Sequence, residues 1–296
     1  MAIRSVIKAS IRLSIHHPRW KSALVVALPK PGKNDYSSPH SHRPIQLIEC
    51  LGKLVEKIIA KCLTFDAGKF DPLPFNQFGG CSNSSSLDAS LSLTHDIQTA
   101  HHKGLVSSFL AVDIKGFFDH VHHNQMIHVL WSKGFPLELC NWVRSFLSDR
   151  SIKIRIDNFT SPLSPLHIGL PQGSPVSPSL SCLYATEPLQ ALNLSPIFSS
   201  SGHPVGPHSY IDDLGFLAIS NSLAENTTLL SATLDWALSL FGSIGMTFNP
   251  GKSDLMHFSW RKGPSPNPPL ILSINGIPIR LAAPKSIRWL GFHLDS

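Results

Sequence analysis

The sequence predicts an α+β protein in which helices and short strands alternate irregularly along 296 residues. Apolar residues recur at helical spacing in several segments, whereas the apolar run at 109–112 and the alternating segment at 152–156 are typical of strands. Residues 210–219 are predicted to form part of a β-hairpin with Asp212 and Asp213 at its bend. With 42% hydrophobic residues, the chain can bury a large core, as one domain or as two packed subdomains.

The first third of the chain is predicted to mix both kinds of element. Isoleucines at every fourth position from Ile3 to Ile15 predict a helix that Pro18 ends. The elements that follow are a short buried strand over 24–28, a basic loop over 29–39, a helix over 45–63, a loop over 70–86 and a helix over 87–101. The strand at 109–112 comes next and ends directly at Asp113.

The rest of the chain alternates helices with turn-rich segments. Its predicted elements are helices over 124–133 and 137–147, the strand at 152–156, a loop rich in Pro, Gly and Ser over 161–178, a helix over 179–192, the hairpin, and a helix over 223–244. After Asp254 we expect two or three more strands, interrupted by a Pro-rich loop over 263–269.

Positive charge is concentrated at the start of the chain. Residues 1–63 contain 11 Lys and Arg against 3 acidic residues, a net charge of +8, and the remaining residues sum to −2. Such a segment is typical of proteins with a phosphate-rich partner, because Lys and Arg displace counterions from nucleic acid. On charge alone, a solvated basic helix explains the pattern equally well.

Cysteine content and hydropathy exclude several classes of protein. The five cysteines are odd in number, widely spaced and form no C-x-x-C pair, so neither a disulfide framework nor a zinc ribbon is indicated. No spacing of the histidines matches a structural zinc module either. No apolar run reaches the roughly 18 residues of a membrane span, and no secretory signal is evident. We therefore expect an intracellular protein that is not secreted and has no membrane partner.

Three aspartates indicate metal-dependent chemistry. Asp113 follows one apolar strand, and Asp212 with Asp213 occupies the bend of a hairpin further along the chain. If the strands are neighbours, the carboxylates converge, and clustered carboxylate oxygens suit a pair of Mg²⁺ ions. Two such ions about 4 Å apart can activate an attacking hydroxyl and neutralise the leaving oxygen of a phosphoryl transfer. Spacing alone does not distinguish this site from an Asp-Asp pair that merely forms a turn.

Eight short motifs follow one another along nearly the whole chain. They are WKSALVVALPKPGK at 20–33, HRPIQLIECLGKLVEKII at 42–59, NQFG at 76–79 with Asp88 and Ala89, AVDIKGFFD at 111–119, GLPQGSPVSP at 169–178, YIDDL at 210–214, GMTFNPGKSDLMHFS at 245–259 and RWLGFHLD at 288–295. In these residues and in this order, the chain resembles the reverse transcriptase domain of non-LTR (LINE-type) retrotransposons. Chance similarity in eight ordered motifs is very improbable.

The resemblance implies a right-hand polymerase fold with an antiparallel palm sheet. Residues 1–105 would be mainly fingers and 106–296 mainly palm, with some finger elements inserted. The chain would end directly after the last motif, so we expect the thumb to be absent. No endonuclease, zinc knuckle or RNase H domain is expected within these residues.

The resemblance also implies an activity, RNA-directed DNA synthesis by two-metal transfer of dNTPs to a primer 3′-hydroxyl. Asp113 and Asp212 match the residues that bind two Mg²⁺ ions, for which Mn²⁺ can substitute, and Asp213 matches the third carboxylate of the site. Lys252 lies where it could protonate the departing pyrophosphate, although a surface lysine after Pro-Gly is equally ordinary. The implied partners are an RNA template, a DNA primer and dNTPs, and the implied compartment is the nucleus.

Substrate contacts follow from the same resemblance. Lys30 and Arg43 occupy the positions that clamp the triphosphate. Gln172 and Gly173 lie in the turn that contacts the incoming nucleotide, because glycine permits close approach of the backbone and the amide can hydrogen-bond. Phe118 stands where a bulky ring would collide with a ribose 2′-hydroxyl and so favour dNTPs. As an alternative, Phe118 is an ordinary core residue.

A primer grip is implied at the end of the chain, where Trp289, Leu290 and Gly291 match the turn that holds the primer. A buried tryptophan at a strand end explains Trp289 almost as well.

Several positions depart from the family pattern. Cys81 and Ser84 stand where arginines are expected, His42 replaces a tyrosine, and Ile211 is bulkier than the usual alanine. These departures leave an alternative open, a catalytically inactive nucleic-acid-binding remnant of such an element. An RNA-dependent RNA polymerase would use the same kind of metal-binding carboxylates, but Phe118 and the YIDD sequence disfavour this alternative.

Overall fold

The computed structural model describes residues 2–32, 34–70, 73–81, 84–260, 267–274 and 276–295. Across these residues the α-helices are α1 Ala2–Arg12, α2 Cys50–Phe70, α3 Ser86–His102, α4 His123–Ser132, α5 Leu137–Leu147, α6 Ser177–Tyr184, α7 Thr186–Asn193 and α8 Leu223–Ser243. The strands are β1 Ser22–Pro29, β2 His42–Leu47, β3 Val106–Lys115, β4 Arg150–Ile156, β5 Phe159–Thr160, β6 Ser164–Leu166, β7 Gly206–Tyr210, β8 Asp213–Ser220, β9 Thr247–Phe248, β10 Asp254–Phe258, β11 Leu270–Ile274, β12 Ile277–Leu281, β13 Ser286–Trp289 and β14 Phe292–Asp295.

The chain forms two compact units, each made of two separate segments. The first unit contains residues 1–72 and 118–184, and the second contains residues 73–117 and 185–296. Both units combine helices with a sheet in which most neighbouring strands run antiparallel. The predicted α+β class is therefore confirmed. None of the described helices is both long and apolar enough to cross a membrane.

The first unit is built on a sheet with the strand order β2-β1-β4-β5, in which β6 also pairs with β4. Strands β1 and β2 are antiparallel, and β1 and β4 are parallel. Helix α5 supplies two large core side chains: Trp142 and Phe146 are fully buried and stack with their ring centroids 5.6 Å apart. They lie one helical turn apart, so they share a face of α5 and form part of the core of this unit.

The second unit is built on a sheet with the order β10-β3-β8-β7, and β9 extends the end of β3. Strand β3 is central and almost wholly buried, which explains its continuous apolar run. Helix α3 packs Leu93 and Ile97 into a core that contains Phe109, Leu217 and further apolar side chains of the sheet. Helix α8 contacts β3 and β8 as well. Two short hairpins, β11-β12 and β13-β14, complete this unit.

Two predicted helices differ from the structure. The prediction of a helix over 45–63 was wrong at its start, because Ile45 pairs with Val26 in the β1-β2 ladder and α2 begins only at Cys50. The predicted helix over 179–192 is interrupted between Tyr184 and Thr186. Proline explains the break, since Pro188 lacks an N–H and its ring would clash with the carbonyl of Tyr184 in a continuous helix.

The strand predictions differ at two places. The strand predicted over 24–28 forms within β1, but its residues are mostly half-buried or exposed. After residue 253, the described residues contain five strands rather than two or three, because two tight hairpins fold in the tail. The Pro-rich loop predicted over 263–269 lies partly, at 263–266, outside the described residues.

Candidate active site

Strands β3 and β8 bring two of the three predicted aspartates together. Asp113 and Asp213 are directly opposite each other in this antiparallel ladder. Directly opposed residues point to the same face with their Cβ atoms about 5 Å apart. Asp212 lies in the two-residue turn between β7 and β8, and its carbonyl accepts a hydrogen bond from the Ile114 N–H at 3.1 Å. The three aspartates thus lie at one end of the central strand pair.

The turn that carries Asp212 has an unusual backbone. Tyr210 and Asp213 pair across it, and Ile211, its first residue, has φ of +58°. Left-handed backbone favours glycine and costs a β-branched residue about 1–3 kcal/mol, so it persists only where the surrounding structure holds it. Such strain is often found at functional sites, and here it lies next to the candidate catalytic residues.

Residues 76–79 support this strained turn through hydrogen bonds to the end of β7. The Phe78 N–H donates to the Ser209 carbonyl at 2.8 Å, and the Ser209 N–H donates to the Asn76 carbonyl at 3.0 Å. Gly79 then passes so close to Ile211 that a Cβ at position 79 would lie 2.5 Å from the Ile211 nitrogen. Gln77 of the NQFG motif thus forms a parallel bridge with Ser209 of β7, and the glycine of the motif is required by this close approach.

The carboxylates shape the electrostatics of the site. Burial, followed by the like charges of Asp212 and Asp113, raises the pKa of Asp213 to about 6. Burial also raises the pKa of Asp212, to which Asp113 adds a smaller effect. Lys252 opposes this repulsion, because its Nζ donates to Asp113 Oδ1 at 2.7 Å. The site therefore has excess negative charge that a bound cation would relieve.

These carboxylates fit a hard divalent cation that takes its remaining ligands from a substrate. Carboxylate oxygens are the ligands that Mg²⁺ prefers, and Mg²⁺ is usually held by one or two carboxylates together with substrate phosphates. Among the residues described, no group of three or more His, Cys, Asp or Glu side chains forms a ready-made metal cage. The aspartates suit the shared arrangement better than a closed structural site.

An open cleft of about 320 Å³ lies beside the aspartates. The lining residues include five predicted site residues, Asp113, Asp213, Lys252, Trp289 and Leu290, and two that the sequence analysis missed, Asp254 and Arg288. No sequence signal marked Asp254, because its position depends on register: it pairs with Ala111 and so faces the same side of the sheet as Asp113. Arg288 was present in the last motif, but no position singled it out.

The predicted primer-grip residues form the tight turn between β13 and β14. Leu290 and Gly291 both have positive φ, and Trp289 pairs with Phe292 across them, as in the two-residue turns that suit a hairpin. The Trp289 ring is buried against Phe109, with centroids 5.0 Å apart. Its indole thus packs in the core, and Trp289 and Leu290 are the residues of this turn that border the cleft.

The remaining predicted residues belong to the first unit. Lys30 follows β1, and its N–H donates to the Ser41 carbonyl at 2.8 Å, whereas Arg43 is exposed on β2 opposite Leu28. Phe118 is half-buried, and its carbonyl accepts a hydrogen bond from the Leu170 N–H at 2.7 Å. This contact ties the position of Phe118 to the loop that contains Gln172 and Gly173.

Gln172 and Gly173 lie directly against β2. The Gln172 carbonyl accepts from the Gln46 N–H at 2.8 Å, and its side-chain Nε2 donates to Asp119 Oδ1 at 3.2 Å. Gly173 has φ of +116°, and a Cβ there would lie 2.8 Å from the Gln46 carbonyl oxygen. Glycine is therefore needed both for its backbone conformation and for the close approach.

Comparisons with known proteins agree with this geometry. Residues 28–294 match the family model described as reverse transcriptase (RNA-dependent DNA polymerase). A probable RNA-directed DNA polymerase from transposon BS of Drosophila melanogaster is 30% identical over 74% of this chain and 24% of its own length. The RNA-directed DNA polymerase from mobile element jockey of the same species is 28% identical over 93% of this chain and 29% of its own length. The chain thus spans less than a third of these curated relatives.

A solved structure shares the fold. A structure of apo telomerase from Candida tropicalis, truncated from its C-terminal domain, is similar to 95% of this chain and 56% of its own, with a TM-score of 0.56 and 12% sequence identity. The family match extends over most of the chain and includes every predicted site residue. The chain therefore belongs to the reverse transcriptase family and contains a retrotransposon-type reverse transcriptase domain.

Proposed function

We propose that this chain is the catalytic core of an RNA-directed DNA polymerase that adds dNTPs to the 3′-hydroxyl of a DNA primer on an RNA template. The observation that carries the proposal is the register of β3 and β8, which sets Asp113 opposite Asp213 with Asp212 in the adjoining turn. Carboxylates at the end of a rigid strand pair are suited to metal-assisted phosphoryl transfer.

Asp113 and Asp212 would hold two Mg²⁺ ions, or Mn²⁺ in their place. When bound, the ions supply activation of the primer hydroxyl and neutralisation of charge on the reacting phosphate. Asp213 supports the other carboxylates and contacts the primer end. Lys252 donates a proton to the departing pyrophosphate. Its Nζ already lies in the site at Asp113, and its side chain is 54% exposed, which lets it reach a bound substrate.

The other site residues bind and select substrates. Lys30 and Arg43 hold the triphosphate, Gln172 and Gly173 contact the incoming nucleotide, and Phe118 excludes a ribose 2′-hydroxyl. The half-buried position of Phe118 supports this role, since a residue of the closed core would not be available to a ligand.

The primer end is held by the turn of Trp289, Leu290 and Gly291. Two of these residues line the cleft that also contains the carboxylates, which supports a role near the primer 3′-hydroxyl.

We also propose a right-hand arrangement with fingers and palm. In this assignment residues 1–105 are mainly fingers and 106–296 mainly palm with inserted finger elements. The segment 118–184 would supply those inserted elements, since it clusters with the first residues of the chain rather than with the sheet that carries the aspartates. We also propose a nuclear location, which is what the family resemblance implies.

A second candidate is an inactive nucleic-acid-binding remnant. Cys81 and Ser84 replace expected arginines, and the Cys81 thiol donates to the Gln77 carbonyl within its own loop rather than offering charge to a ligand. The basic residues of the first unit would retain RNA in this case, without synthesis.

Primer extension separates the two functions. The chain is given poly(rA) template, oligo(dT) primer, dTTP and Mg²⁺, beside a control carrying both Asp212→Ala and Asp213→Ala. Extension that is lost in the control is the expected result. RNA binding that weakens steeply with salt, without extension by the unsubstituted chain even in Mn²⁺, would refute catalysis and support the remnant.

A further inference from the structure

The loop of residues 171–177, which contains Gln172 and Gly173, is held by more than its contact with β2. Within the loop, the Ser177 hydroxyl donates to the Pro171 carbonyl at 2.9 Å, and the Ser174 N–H donates to the same carbonyl at 3.1 Å. These bonds fix the shape of the loop. They do not by themselves fix its position against β2.

A buried hydrogen bond helps to fix the position of the loop. The Ser174 hydroxyl donates to Glu56 Oε2 at 2.6 Å, and both side chains are buried, with Glu56 fully inaccessible to solvent. Glu56 lies on α2, the helix that follows β2 in the chain. The loop is therefore attached at two points, to β2 through Gln46 and to α2 through Glu56.

The Ser174 hydroxyl is the main hydrogen-bond partner that the surroundings of Glu56 offer to its carboxylate. Its other oxygen, Oε1, accepts no hydrogen bond from the described part of the chain, although His16 Nε2 lies 3.5 Å away. Burial lowers the pKa of His16 to about 3, with a further effect of the Arg150 charge, so this imidazole is neutral and gives no ion pair. Arg150 is buried nearby and also lowers the pKa of Glu56, but it is burial that dominates and raises that pKa.

We propose that Glu56 is a positioning residue for nucleotide binding: by accepting the Ser174 hydrogen bond inside the core, it holds Gln172 and Gly173 against β2 in the position that receives a dNTP. The inference rests on the proposed function. It adds a role for a charged residue that has no contact with the substrate. Burying a carboxyl group without an ion pair costs free energy of folding. The anchoring of this loop is a function that explains why Glu56 is buried there.

The close fit at Gly173 explains why the anchor matters. The Gly173 backbone packs so tightly on Gln46 that no side-chain atom fits between them. A loop released from α2 would move away from β2 and lose the Gln46–Gln172 hydrogen bond. Nucleotide binding then has to restore the position of the loop, which raises the KM for dNTP while the chemical step at the carboxylates is little changed.

The test compares Ser174→Ala with Ser181→Ala as a control. Ser174→Ala removes the hydroxyl that donates to Glu56 and that also accepts from the Val176 N–H at 3.2 Å, so the Glu56 variants below separate the two bonds. Ser181 is also fully buried, and its hydroxyl donates only to the Pro178 carbonyl, apart from the loop. We expect Ser174→Ala to raise the KM for dTTP about tenfold, which equals about 1.4 kcal/mol, with kcat changed less than about twofold. Ser181→Ala should leave both parameters within about twofold of the unsubstituted chain.

Variants of Glu56 provide the second arm. Glu56→Gln keeps an acceptor oxygen of the same shape, so it should restore a KM within about twofold of the unsubstituted value. Glu56→Leu should reproduce the effect of Ser174→Ala. If Glu56→Leu does not fold, the KM values of Ser174→Ala and Glu56→Gln still test whether the loop depends on a hydrogen bond to residue 56.

Hydrogen exchange gives a readout that does not depend on synthesis. The Gln46 amide, which donates to the loop, should exchange faster in Ser174→Ala than in Ser181→Ala. An unchanged Gln46 exchange rate, or an unchanged KM despite faster exchange, would overturn the inference. If the unsubstituted chain extends no primer, the proposed function fails, and exchange at Gln46 alone then decides whether Glu56 anchors the loop.

Discussion

Gly79 is the position at which one added methyl group should most disturb the candidate active site. A Cβ there would lie 2.5 Å from the Ile211 nitrogen and 2.6 Å from Ile211 Cγ1. Non-bonded heavy atoms are at their best separation near 3.5 Å. The turn of Ile211 and Asp212 must therefore move by about 1 Å to accept an alanine.

Two effects of Gly79→Ala follow from this displacement. Forcing a methyl group into a tightly packed site costs about 1–3 kcal/mol, so the free energy of unfolding should fall by about 2 kcal/mol. Because a 1 Å misplacement of catalytic groups can cost about 100-fold in rate, primer extension should fall by about that factor. The loss of rate should appear in protein that is still folded at the assay temperature.

Urea unfolding and primer extension measure the two effects separately. Gly68→Ala is a matched control, because Gly68 lies in α2 without a positive φ, and a Cβ at this position would meet nothing within 4 Å. This substitution should stabilise the chain by about 0.5–1 kcal/mol and leave extension unchanged. Full activity of Gly79→Ala, with a free energy of unfolding equal to that of the unsubstituted chain, would refute the proposed support of the turn.

Three further predictions concern single side chains. Lys252→Ala should lower kcat about 100-fold or more if Lys252 is the general acid, measured by single-turnover extension, and a loss below about threefold would exclude that role. Phe118→Val should increase the use of rNTPs relative to dNTPs, and an unchanged ratio in competitive extension would contradict the gate assignment. Ser85→Ala should destabilise α3, because Ser85 and Asp88 form its capping box and their hydrogen bonds lower the pKa of Asp88. That stabilisation is present above the ordinary pKa of an aspartate and is lost as pH falls through the lowered one, so urea unfolding should show the two proteins converging in acid.

Local patterns in the sequence were sufficient to predict the elements that carry the carboxylates. The apolar run at 109–112 lies inside β3, and the predicted hairpin forms. Its bend is one residue earlier than predicted, at Ile211 and Asp212, because Asp213 already pairs with Tyr210. Both signals depend on neighbouring residues, whereas Ile211 at positive φ is a residue that turn chemistry does not favour. The error at 45–47 has the opposite cause, because Leu47 continues the helical spacing of the apolar residues after it and it is pairing with β1 that makes this segment a strand.

Register and close approach could not be predicted in the same way. That Asp113 faces Asp213, and that Asp254 shares their side of the sheet, depends on which residues pair across two ladders. A shift of one residue in either ladder would turn the side chains to the other face. Similarly, nothing in the sequence near Glu56 indicates that its carboxylate accepts a hydrogen bond from a serine more than one hundred residues away.

Motifs that are far apart in the sequence contact each other in the structure. These contacts give a structural role to residues that carry no candidate chemistry of their own. Residues 76–79 extend the hairpin that carries Asp212 and Asp213, and Gln46 of the second motif holds Gln172 of the fifth. The Asn249 N–H of the seventh motif donates to the Asp113 carbonyl of the fourth at 2.8 Å. In each pair the backbone of one motif supports residues with candidate chemistry in the other. Substitutions at these supporting positions should therefore disturb function by displacement, with no change in any group that contacts substrate.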